Sequence, residues 1–154
     1  MRVETQFSVF MVNKPGILAQ VAKSIARAKV NIQAMTLVDS SEHGVLRFIC
    51  DDAAKVRDVL RKNNDHWTET EVLVLHLQNQ PGILAAVAEE LAEAHINISY
   101  AYTSGGAPGG RTTSVFKVAD LKKSVKLLGR FNGSEKGENR RRSAAIRRSP
   151  TMRR

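Results

Sequence analysis

The sequence predicts an α+β fold in which one β-α-β-β-α-β unit is used twice, and two observations carry that expectation. First, Asn13–Ile32 and Asn79–Ile98 lie 66 residues apart and agree at twelve of twenty positions without a gap. Such self-similarity marks a duplicated structural unit. Second, the apolar residues alternate between a period of two and a helical period in the same order in both copies.

In the first copy, Phe7, Val9 and Met11 interleave with Ser8, Phe10 and Val12, so a strand over about Thr5–Val12 is apolar on both faces and suits the middle of a sheet. Asn13-Lys14 turns the chain, and Pro15 suits the first position of a helix, where its missing N–H costs nothing. Ile17, Leu18, Val21, Ala22, Ile25 and Ala28 continue at helical spacing. Strands follow over Asn31–Val38 and Val45–Asp51, joined by a polar turn, and then a short helix over about Asp52–Lys62. Trp67–Glu71 is a weak fourth strand.

The second copy repeats the order: strand Val72–Leu77, helix Pro81–Ala94, strands Asn97–Thr103 and Thr113–Val118, and a helix marked by Leu121, Val125 and Leu128. Its hairpin loop is longer and glycine-rich over Gly105–Gly110, so Phe116 answers Phe48 after a two-residue insertion. No fourth strand is legible beyond it. That absence predicts an open edge at Val72–Leu77, covered by Trp67–Glu71 or by another chain, or else an incomplete second unit. Each unit, in this order, is a ferredoxin-like arrangement with an antiparallel sheet and both helices on one face. The expected division is 1–70, 71–129 and a tail of 130–154.

The tail explains the charge. Of the net +9, residues 130–154 contribute +7 through nine Lys/Arg against two Glu, and residues 1–129 only +2. Composition predicts that this segment is disordered. Its arginines suit phosphate contacts with nucleic acid at low sequence specificity, or serve only as a solubilising extension. A single cysteine, Cys50, excludes an internal disulfide. With no leader-like or membrane-spanning run, the cytoplasm is the expected location. The four histidines are scattered, and no nucleophile–base set, carboxylate pair or phosphate loop suggests catalysis or a cofactor, so the chain is expected not to be an enzyme.

Asn-x-Pro-Gly-Ile-Leu after a strand, with Ala-x-x-Asn-Ile closing the helix, resembles the ACT domain, a regulatory module that binds amino acids. Both copies carry the pattern: Asn13, Lys14, Pro15, Gly16, Ile17 and Leu18 with Asn31 and Ile32, then Asn79, Gln80, Pro81, Gly82, Ile83 and Leu84 with Asn97 and Ile98. The resemblance covers about residues 3–129 and is nearest to stand-alone tandem ACT proteins without a catalytic domain. It implies that the two units pair side by side and that free amino acid binds where they meet, at the strand-to-helix turn and the start of the second strand. The turn offers open helix N–H groups to a carboxylate. The asparagine amides can both accept from an ammonium and donate to a carboxylate. Met11 and Leu77 stand where some serine-binding relatives carry His, which implies a different ligand or the decay of one site. The expected partners are a second copy of the chain or a partner enzyme or regulator; the alternative readings are an interaction module that uses the arginine-rich tail on nucleic acid, or a regulatory subunit of an amino-acid biosynthetic enzyme.

Overall fold

The computed structural model describes residues 1–39 and 43–131. The arginine-rich segment of the tail lies outside them. β1 (Arg2–Val12) is followed by α1 (Ile17–Arg27), β2 (Ile32–Asp39), β3 (His43–Cys50), α2 (Ala53–Lys62), β4 (His66–Gln78), α3 (Ile83–Glu93), β5 (Ile98–Ser104), β6 (Arg111–Val118), α4 (Leu121–Leu127) and a 3₁₀ turn over Leu128–Phe131. All six strands form one antiparallel sheet in the order β2-β3-β1-β4-β6-β5.

Three sequence expectations change here. Trp67–Glu71 and Val72–Leu77 are a single uninterrupted strand, β4, which closes the first unit with its first half and opens the second with the rest. Nothing from Trp67 to Leu77 breaks a strand, since that stretch holds no Gly, Pro or Asn. The missing fourth strand of the second unit is supplied by the start of β1. Arg2, Val3 and Glu4 stand opposite Val74, Leu73 and Val72, while Thr5–Phe10 run along Glu71–His66. Thr5 and Glu71, equivalent by the 66-residue repeat, are register partners, so the local two-fold axis of the duplication passes between them. The expected helix start at Pro15 also moves. Pro15 and Gly16 belong to the turn, and α1 begins at Ile17. Arg130 and Phe131 fall within the 3₁₀ turn, where Phe131 packs against the second core.

Alternation decides the layers. On one face of the sheet, Phe7, Val9, Leu46 and Phe48 meet Val21 and Ile25 of α1 and Val56 and Leu60 of α2. Phe7 and Phe48 stack with ring centroids 5.6 Å apart. Leu73, Leu75, Leu77, Phe116 and Val118 likewise meet Val87 and Leu91 of α3 and Leu128. All four helices therefore lie on one face. Burying each such side chain contributes about 1.5–3 kcal/mol. Among the described residues, the opposite face carries no helix. Instead the sheet coils so that its outer strands, β2 and β5, approach each other, and Ala34, Ile49, Val72, Val74 and Val115 close into a third cluster.

Candidate functional site

The two repeated turns have the same local geometry. The Lys14 N–H donates to the Val12 carbonyl and the Gln80 N–H to the Gln78 carbonyl, each at 2.9 Å. Gly16 and Gly82 then adopt φ of 89° and 87° at the helix N-caps. A Cβ at either position would meet no atom within 4 Å, so the left-handed backbone, not crowding, calls for glycine. Neither helix start receives a side-chain cap. In contrast, Asp52 accepts from the Lys55 N–H at 3.0 Å to cap α2, and Asp120 accepts from the Lys123 N–H at 2.9 Å to cap α4. The first N–H of each helix bonds within the turn, Ile17 to the Lys14 carbonyl at 3.4 Å and Ile83 to the Gln80 carbonyl at 3.5 Å; the rest of each uncapped first turn, with its positive helix end, remains available to an anionic group.

The turns differ in what surrounds them. Asn79 is committed to the glycine-rich loop: its side-chain NH₂ donates to the carbonyls of Gly106 at 2.8 Å and Ala107 at 3.3 Å. Its backbone N–H donates to the Gly110 carbonyl at 2.7 Å, and its carbonyl accepts from the Gly109 N–H at 3.1 Å. The loop is thereby folded onto the second turn. Gly106 makes this close approach feasible, because a Cβ there would stand 2.2 Å from the Arg111 carbonyl oxygen. Residues 40–42 of the matching first-unit loop lie outside the described residues.

Asn31 and Asn97 begin β2 and β5. The backbone of Asn31 exchanges hydrogen bonds with Asp51, donating to its carboxylate at 3.0 Å and accepting from its N–H at 3.2 Å. Asn97 keeps only the second of these, from the Ala119 N–H at 3.0 Å, since Ala119 has no carboxylate. Both bridges use backbone, so neither asparagine spends its side-chain amide on the turn. Asn97 and Ile98 border an open cavity of about 520 Å³ with Ala88, Ala92 and His95. Lys29 and His95 hold φ of 57° just past the C-terminal ends of α1 and α3, and the N–H after each reaches back to Ile25 and Leu91. These are Schellman-type ends, which directs the chain into Asn31 and Asn97.

The structure separates residues that the sequence suggests acting together. β1 ends opposite His43, the first residue of β3, whereas β2 begins opposite Cys50, the last. Asn13 and Asn31 therefore flank opposite ends of an eight-residue strand, about 25 Å at ordinary strand rise. Gln78 and Ile98 stand likewise at opposite ends of β6. Asn79 and Asn97 are separated in the same way. One free amino acid cannot span either pair.

A polar cluster on the helix-free face escaped the sequence reading. Gln6 is fully buried; its amide donates to the Tyr100 hydroxyl at 2.7 Å and to Ser8 Oγ at 3.3 Å, and its carbonyl accepts from the Tyr102 hydroxyl at 3.0 Å. The Arg47 guanidinium lies 4.2 Å over the Tyr100 ring. Burial, and secondarily Tyr100, pushes the Tyr102 phenol well above its ordinary range. The legible signal was the alternation of Gln6 with Ser8 and of Tyr100 with Tyr102, each period-two on one face. Cys50 packs beside the first core with its thiol pushed up by burial, which keeps it in the unreactive protonated form. Among the described residues, no group of three or more His, Cys, Asp or Glu could hold a metal ion, and no helix is long and apolar enough to cross a membrane.

Comparison with known proteins agrees with this architecture. The family model for the ACT domain pair matches residues 1–131. Among solved structures, protein BT0572 from Bacteroides thetaiotaomicron is similar at 28% identity and a TM-score of 0.76, over 82% of this chain and 87% of that one. The regulatory subunit of aspartate kinase from Thermus thermophilus shares the fold at 13% identity and a TM-score of 0.62, over 86% and 99%. That from Thermus flavus does so at 12% and 0.57, over 84% and 93%. No curated protein matches.

Proposed function

Because the chain belongs to the ACT domain pair family, we propose that it is a non-catalytic regulatory protein that binds a free amino acid at its repeated turns. The observation that carries this reading is the contrast among the four helix starts. α2 and α4 are closed by aspartate, whereas α1 and α3, the two that follow the repeated motif, carry left-handed glycine and no side-chain cap. In this reading, the α-carboxylate takes the open N–H groups of the first helical turn, and a side-chain amide of an asparagine takes the ammonium.

Strand direction supports a site completed by an asparagine of a second copy. β2 ends beside the first turn, since Asp39 stands opposite Gly44 and Gly44 opposite Met11. A second copy of the chain laid antiparallel along β2 would begin its own outer strand where β2 ends. That arrangement brings Asn31 or Asn97 of the second copy to the end of the sheet that carries Asn13. The exposed side chains of Met35, Leu37 and Val38 on β2 support such a contact. The functional form in this proposal is a homodimer, with the ligand seated between copies and favouring one arrangement of them. A partner enzyme or regulator reads that arrangement.

Substitution of the strand-start asparagines tests the site. Asn31→Ala and Asn97→Ala lie in exposed positions and leave the backbone bridges to Asp51 and Ala119 in place. By calorimetric titration with the amino acid that binds the unaltered chain, each substitution is expected to weaken affinity about five- to tenfold, the loss of one or two hydrogen bonds. Unchanged affinity in both variants would place the ligand elsewhere.

A further inference from the structure

The two repeats match position for position on the helix-free face of the sheet, but their chemistry there is opposite. The copies are offset by 66 residues up to β5 and by 68 at β6, after the two-residue insertion. The ladders obey this. Ala34–Ile49 in the first unit corresponds to Tyr100–Lys117 in the second, and Val74–Val115 corresponds to Ser8–Arg47. On one side of the local two-fold axis, Ala34, Ile49, Val72, Val74 and Val115 form a closed apolar cluster. On the other side, the same five positions hold Tyr100, Lys117, Gln6, Ser8 and Arg47. In place of a filled core there is a cavity of about 320 Å³, walled by Ser8, Arg47, Thr68, Thr70, Tyr100 and Lys117, with Phe10 and Val45 along one side.

Arg47 and Lys117 are both half-buried and, among the described residues, neither forms an ion pair. Arg47 rests on the Tyr100 ring, and Lys117 Nζ reaches only the Glu71 backbone carbonyl, at 3.4 Å. Two partly desolvated cations without counter-ions are costly unless something anionic pairs with them. Their positions are also fixed in advance. Gln6, fully buried, holds the Tyr100 hydroxyl, and the ring holds the guanidinium above it.

We propose that this cavity binds a small organic dianion of the dicarboxylate class. The planar Arg47 guanidinium takes one carboxylate by a forked pair of hydrogen bonds, and Lys117 takes the other as a point charge. The Ser8, Thr68 and Thr70 hydroxyls supply further donors, and Phe10 and Val45 cover the carbon body. Arg47 belongs to the first unit and Lys117 to the second, so the ligand ties the two halves together across the coiled sheet. The site shares no residue with the repeated turns. Its fate is therefore independent of the amino-acid reading.

Calorimetric titration of the full chain with succinate tests the proposal, with inorganic phosphate as a probe that carries charge without a carbon body. Saturable one-to-one succinate binding is expected, weakened at least tenfold in Arg47→Gln and in Lys117→Gln and largely kept in Lys117→Arg. Lys117→Gln removes no contact stronger than the long bond to Glu71, so its folding is expected to hold, and unchanged circular dichroism verifies this. Absence of succinate binding would overturn the proposal. So would equal binding by both Gln variants, which would assign the anion to the arginine-rich tail or to a helix start. Phosphate binding as tight as succinate, with the same sensitivity to both substitutions, would overturn the dicarboxylate class in favour of a simple oxyanion.

Discussion

Gly16 and Gly82 hold nearly the same left-handed conformation, with open space where a Cβ would stand. Alanine there would fit sterically yet sit in a backbone region that L-residues avoid, a strain of about 1–2 kcal/mol. Gly16→Ala and Gly82→Ala are each expected to lower stability by that amount in urea unfolding, and by similar amounts, since the two turns share one geometry. Tyr102 gives a second prediction at this scale. Its folded pKa is raised, chiefly by burial, so the phenol keeps its proton in the folded chain after the unfolded chain has released it. Stability is then unaffected below about pH 10 and falls as pH rises beyond it. Tyr102→Phe is expected to flatten that alkaline decline, while costing about 0.5–1.5 kcal/mol at neutral pH through the lost hydrogen bond to Gln6. Urea unfolding of both proteins between pH 7 and 11 separates the two effects.

At the scale of elements, β4 carries most of what the sequence did not disclose. Helices and strands with regular periodicity were legible to within a few residues, because Val21 and Ile25, or Phe7 and Val9, point to one layer. The fusion of two strands into β4 was legible only as an absence, the lack of any turn residue from Trp67 to Leu77. The replacement of the last strand by Arg2–Glu4 leaves no local trace, because register partners such as Arg2 and Val74 lie far apart in sequence. The repeated turns were equally plain, yet the separation of each turn asparagine from the strand-start asparagine of its own unit depends on strand direction, which the motif does not encode. The role given to Arg2–Glu4 can be measured. Removing residues 1–4 strips one side of Val72–Val74 of its ladder. Amide exchange at Leu73 and Val74 is expected to accelerate, with little change at Leu46 and Phe48. Unchanged protection in β4 would show that the first residues of β1 do not close the second unit.

Across the whole molecule, one sheet serves both repeats, and the buried Gln6 in the first unit is bonded to Tyr100 and Tyr102 in the second. The two halves are therefore not independent modules on a linker, and whatever binds one half acts on a shared β-sheet. Regulation of a partner follows only if the ligand distinguishes two arrangements, with coupling typically of 1–3 kcal/mol. The central claim is that the chain senses a free amino acid, and the most direct measurement is its melting temperature with each amino acid supplied in turn at millimolar concentration. One of them, or a small group of similar side chains, is expected to raise it, with a gain of about 2.7 kcal/mol when the ligand stands at 100 times its Kd. A melting temperature unmoved by every amino acid would contradict the account.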